Sequence, residues 1–104
     1  MSENLDPAQV VLRASHGLPP NQRLVLVHYA THPDRTSNGM VEETNEKLAA
    51  ALGWVPTVFS RTRKELIEAG FLQERKRTGN VRYYGLTAKA LGPKSKVSHL
   101  RSVG

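Results

Sequence analysis

Residues 44–72 read TNEKLAAALGWVPTVFSRTRKELIEAGFL, a pattern of two helices joined by a tight turn. Leu48, Ala49 and Leu52 fall at the spacing that one buried helix face requires. Gly53, free to take a positive φ, ends that helix. A second helix opens near Pro56, where a missing N–H costs nothing in the first turn. It buries Phe59, Thr62 or Arg63, and Leu66, and it ends at Ala69-Gly70. Thr57, Val58, Ser60, Arg61 and Lys64 then face outward. Upstream, Thr44 is placed to cap the first helix, and Glu42, Glu43 and Glu46 complement the positive end of its dipole. A catalytic carboxylate pair is the sharper reading of those acids, but capping accounts for them. The same cluster repels phosphate, so this corner is expected to face away from any polyanion.

Beyond Gly70 the period changes from helix to strand. The run FLQERKR, then Thr78-Gly79-Asn80, then VRYYGL reads as a β-hairpin, with Gly79-Asn80 the tight connection. That register sets Arg77 opposite Arg82, and like charges across a ladder are destabilising. An anion between them relieves the conflict, and a phosphate backbone is the obvious one. Tyr84 and Leu86 face the core and Tyr83 faces out. Residues 87–91 add a helical turn ended by Gly92-Pro93, and residues 92–104 are expected as a basic flexible tail.

Working upstream, Met40-Val41 is a very short strand beside the hairpin, and residues 34–39 are a polar, turn-rich loop. Before them, NQRLVLVHYATH is a helix opened by Pro19-Pro20 and followed by Pro33. Residues 24–27 are nearly continuous hydrophobe, so this helix is buried on more than one side. His28 and His32 have metal-ligand spacing, but no Glu adjoins His28 and the chain has no cysteine to complete a site. They read as ordinary histidines, and no metal is expected. Residues 1–17 form an N-terminal arm or a short helix started at Asp6-Pro7. Its Val10-Val11-Leu12 packs either on the domain or on a second copy.

At 104 residues the chain suits one small domain. It has no disulfides, no signal-like N-terminus and no apolar run of membrane-spanning length, so a cytoplasmic protein is expected. The net charge of +6 is unevenly placed. Residues 1–52 sum to −2, with four basic and six acidic side chains, whereas residues 53–104 carry eleven basic against three acidic and sum to +8. Such segregation points to a polyanion-binding surface in the second half.

The phrase Leu48-Ala49-x-x-Leu52-Gly53, followed by Ser60-Arg61, Leu66 and Gly70-Phe71-Leu72, resembles the helix-turn-helix of winged-helix DNA-binding regulators. The likeness covers residues 18–91. It extends to short phage- and plasmid-borne regulators and to the DNA-binding core of multiple-antibiotic-resistance-type repressors, and departs from the latter at Gly92-Pro93, with no long dimerisation helix. Trp54 stands where the family places a smaller hydrophobe and is expected in the core. Arg63 replaces an apolar residue and is expected to snorkel out to phosphate. The resemblance implies a mainly α fold with a small β-hairpin: a three-helix core plus a two- to three-stranded wing.

It further implies sequence-specific binding of double-stranded DNA by a repressor-like transcriptional regulator, associated with the nucleoid. Thr57, Val58, Ser60, Arg61, Arg63 and Lys64 would meet the major groove. Arg75, Lys76, Arg77, Thr78, Gly79, Asn80 and Arg82 would grip backbone and minor groove as the wing. A replication or partition accessory protein of a mobile element is an alternative, as is a winged-helix protein-interaction module. No nucleophile–base pair or phosphate-cradling loop is present, so an enzyme is not expected, nor a cofactor, a small-molecule ligand or a membrane partner. A homodimer stays open, and it predicts half-sites about 10 bp apart.

Overall fold

In a computed structural model, residues 6–33 and 40–91 are described. The expectations placed on residues 1–5, 34–39 and 92–104 lie outside them. The order of elements is α1 (Pro7–Ala14), α2 (Pro20–Thr31), β1 (Met40–Val41), α3 (Asn45–Ala51), α4 (Pro56–Glu68), β2 (Leu72–Thr78), β3 (Val81–Leu86) and α5 (Ala88–Leu91). The fold is mainly helical with one three-stranded antiparallel sheet, ordered β1-β3-β2.

Local chemistry fixes the boundaries. Asp6 caps α1, its carboxylate accepting from the Ala8 N–H at 3.1 Å, with Pro7 in the first turn. The Thr44 hydroxyl accepts from the Lys47 N–H at 3.3 Å and caps α3. At the far end of α3, Gly53 takes φ 75° while its N–H reaches the Ala50 carbonyl and the Trp54 N–H reaches that of Ala49. This paired closure satisfies carbonyls the helix leaves open, and it needs a residue at ease with positive φ. The same closure recurs at Gly70, where the Gly70 and Phe71 N–H groups meet the carbonyls of Ile67 and Leu66.

One cluster forms the core. Val25, Leu26, Tyr29 and Ala30 of α2 meet Leu48 and Ala49 of α3, Phe59 and Leu66 of α4, and Val41, Leu72, Tyr84 and Leu86 of the sheet. Val25, Leu26, Tyr29 and Ala30 make one broad buried face of α2, and burial does not extend round the helix as its continuous hydrophobic run predicts, since Leu24 stays 44% exposed. Val11 is fully buried, so α1 packs on its own domain, against α2 and α5. Trp54 is half-buried against the core, its ring 6.5 Å from that of Phe59.

The hairpin leaves this body after Leu72, because residues 73–80 offer no apolar alternation to bury and all are exposed. Its turn follows the residue types: Gly79 has φ 63° and, among the described residues, no non-glycine one has positive φ, the sign pattern of a two-residue II′ connection. Pairing runs Thr78↔Val81, Arg77↔Arg82 and Lys76↔Tyr83, then slips to Glu74↔Tyr84. Arg75 is thus the extra residue of a bulge.

Candidate nucleic-acid interface

Helix α4 presents two opposed faces. Phe59, Thr62 and Leu66 are buried. Between the two expected inward candidates, Thr62 takes the core position, its hydroxyl donating to the Val58 carbonyl at 3.0 Å so that no buried polar atom is left unpaired. Thr57, Arg61 and Lys64 lie opposite, at i, i+4 and i+7, and all three are exposed. Neither Arg61 nor Lys64 makes a hydrogen bond or ion pair with any described residue. Val58 and Ser60 flank this stripe and are half-buried.

Arg63 corrects the expectation that it reaches outward. Its guanidinium lies 4.4 Å from the centroid of the Tyr84 ring and 5.5 Å from that of Phe59, and it donates to the Asn45 side-chain carbonyl at 2.9 Å. A planar cation with two aromatic faces and a carbonyl in reach is better held here than in water. Asn45 also donates to the Ser60 hydroxyl at 2.8 Å, tying α3 to α4 through both partners. The neighbouring Tyr29 hydroxyl is pushed up to about 12, chiefly by burial, while the Arg63 charge pulls the other way.

The hairpin cations are occupied within the protein. Arg77 and Arg82 do oppose one another, but the anion between them is internal: Glu74 stands 3.5 Å from the Arg77 Nε and 3.9 Å from that of Arg82. The bulge makes this possible. In an unbroken ladder Glu74 and Arg77, three residues apart, would point to opposite faces; the extra residue returns Glu74 to the face of Arg77 and Arg82. On the other face, Lys76 binds Glu42 at 2.7 Å and sits over the Tyr83 ring. Glu42, from the acidic run ahead of α3, therefore reaches the hairpin, on the face opposite that of Arg77 and Arg82. Arg75 donates to the Leu86 carbonyl at 2.9 Å. Thr78, Gly79 and Asn80 form the exposed tip.

Between α4 and the hairpin lies an open cleft of about 420 Å³. Ser60, Arg63, Lys64 and Ile67 form its helical wall, and Glu74, Arg82 and Tyr84 its strand wall. The structure thus brings Ser60, Arg63, Lys64 and Arg82 to one place, with Arg63 engaged by the protein. Asn45, Glu42 and Glu74 were not singled out by sequence as partners of this surface. Their roles depend on contacts across 15 to 34 positions in Asn45 and Glu42 and on one bulge in Glu74, none of which leaves a local pattern.

The histidine pair sits elsewhere, at the end of α2, with His28 in its last turn and His32 as its C-cap, the ring centroids 5.6 Å apart. Burial first, and then the charge of His32, hold the His28 imidazole below its ordinary pKa, and the His28 Nε2 is buried with no hydrogen-bond partner among the described residues. Among the described residues no group of three or more His, Cys, Asp or Glu is placed to hold a metal ion, and no helix is long and apolar enough to cross a membrane. No family model matches the chain, and no curated protein or solved structure matches it.

Proposed function

We propose that this chain is a winged helix-turn-helix protein that binds double-stranded DNA sequence-specifically and acts as a repressor-like transcriptional regulator. In this reading α3 and α4 are the helix-turn-helix, α4 enters the major groove, and the β2–β3 hairpin is a wing along the backbone and minor groove. The observation that carries it is the outer face of α4. Thr57, Arg61 and Lys64 form one exposed stripe, the opposite face is locked into the core, and neither cation is spent on an internal partner. Arg61 suits a bidentate contact to guanine, and Thr57 and Ser60 suit phosphate or base edges near the helix start. The segregated charge and the adjoining basic hairpin support the same reading.

Selection of bound duplexes from a random DNA pool tests it directly. A recovered consensus is expected, and affinity for that consensus should fall with a log–log salt slope of about −4 to −5 if some five phosphates are contacted. A pool that returns no enrichment, or binding indifferent to salt, removes the assignment. A consensus with two half-sites about 10 bp apart identifies a dimer on DNA, and a single asymmetric site a monomer.

A further inference from the structure

We propose that the cleft between α4 and the hairpin is a seat for one phosphate group, held by Lys64, Arg82 and the Ser60 hydroxyl, with the Glu74 carboxylate as its resident counter-anion. Lys64 enters the cleft with no partner among the described residues. Ser60 accepts from Asn45, which leaves its own hydroxyl hydrogen to donate. Arg63 beneath them is fixed by Asn45 and Tyr84, so it adds positive potential without having to move. Ile67 and Tyr84 supply apolar wall that limits solvation of whatever charge enters.

Glu74 holds the place that the phosphate would take beside Arg82. Its contacts to Arg77 and Arg82, 3.5 and 3.9 Å, are longer than the 2.7–2.9 Å of a well-formed charge-assisted hydrogen bond. A carboxylate held that loosely is replaceable. A phosphate offers more acceptor oxygens to the same donors, and its arrival requires only that the Glu74 side chain swing toward solvent. A phosphodiester of a DNA backbone and a free phosphorylated small molecule present this chemistry alike. The inference rests on the DNA-binding reading only for the choice of the first source.

Two titrations on the wild type, Glu74→Gln and Lys64→Gln separate the cases. Inorganic phosphate, added at constant ionic strength, should shift the backbone amide resonances of Ser60, Lys64, Arg82 and Tyr84. Binding should tighten about three- to tenfold in Glu74→Gln and weaken by a similar factor in Lys64→Gln, the scale of one exposed charge. With a 20-bp duplex, Glu74→Gln should bind tighter and its log–log salt slope should steepen by about one. Phosphate shifts that are absent or confined to other residues, or equal binding by wild type and Glu74→Gln, overturn the seat, and the DNA-binding reading then stands or falls on its own duplex titration. Phosphate binding as described, with no duplex bound by any variant, keeps the seat, assigns it to a phosphorylated small molecule and removes the DNA reading. Melting curves for both exposed-site variants confirm that each is folded.

Discussion

Two cationic surfaces stand side by side in this molecule, and they differ in what holds their charges. On α4, Arg61 and Lys64 extend from a helix whose other face is anchored by Phe59 and Leu66, and nothing described pairs with them. On the hairpin, Lys76 is bound to Glu42, Arg77 and Arg82 share Glu74, and Arg75 is turned back to a carbonyl. The helix offers charge that is free and positioned. The hairpin offers charge that must first let go of its own carboxylates. In the proposed DNA-binding reading, attraction to the polyanion and discrimination among sequences fall to different parts of the chain, and the hairpin's share is attenuated by its own carboxylates.

The sharpest way to break this comparison is to remove the anchor. Phe59→Ala should cost about 3–5 kcal/mol of stability by urea unfolding, and both surfaces should fail together. A loss below about 1 kcal/mol means that the buried side of α4 does not set the outer one. Next in size, Arg61→Ala should weaken binding to the selected sequence by about 1–3 kcal/mol and relax the preference at one base pair. Arg63→Lys should lower stability by about 1–2 kcal/mol, because an ammonium cannot stack flat on Tyr84 while reaching Asn45, and it should leave the salt slope of DNA binding unaltered. A changed slope with unchanged stability returns Arg63 to the DNA surface. Arg77→Ala should have a smaller effect, below about 1 kcal/mol and equal for all sequences, since Glu74 already screens this cation. Equal and sequence-selective losses for Arg61→Ala and Arg77→Ala abolish the distinction between the surfaces.

The smallest effect lies beneath both. His28 has its folded-state pKa held below 6.5, so the unfolded chain takes up the proton first as pH falls. Stability is then fully present above about pH 6.5 and declines below it, until the folded imidazole also protonates. Thermal melts of wild type and His28→Gln between pH 7.5 and 5 check this: the variant should lose the part of the acid slope that His28 supplies.

Much of the fold was legible because its signals are local. Proline at the head of three helices, Thr44 and Asp6 as caps, and glycines at 53, 70 and 79 each act on the few residues around them. The Gly79-Asn80 turn fixes the hairpin register, and with it the opposition of Arg77 and Arg82. What answers that opposition was not legible. A ladder of alternating faces assigns Glu74 to the wrong side, and only the slip at Arg75, for which QERKR carries no glycine or other bulge residue, brings it round. Arg63 was misjudged for a related reason. Its charge argues for solvent, while the aromatic rings that draw it inward come from Phe59 on its own helix and from Tyr84, twenty-one positions away.

Trp54 has a practical consequence. It is the sole indole of the chain, half-buried where α3 hands over to α4 and packed against Phe59, three positions before the first residue of the exposed α4 stripe. Its emission is therefore a built-in optical probe. Unfolding exposes the ring and shifts its emission to the red, whereas under the proposed function a duplex seated on α4 should alter its intensity without that shift. One unlabelled cuvette can report the integrity of the turn and the occupancy of the helix beside it as two separable signals.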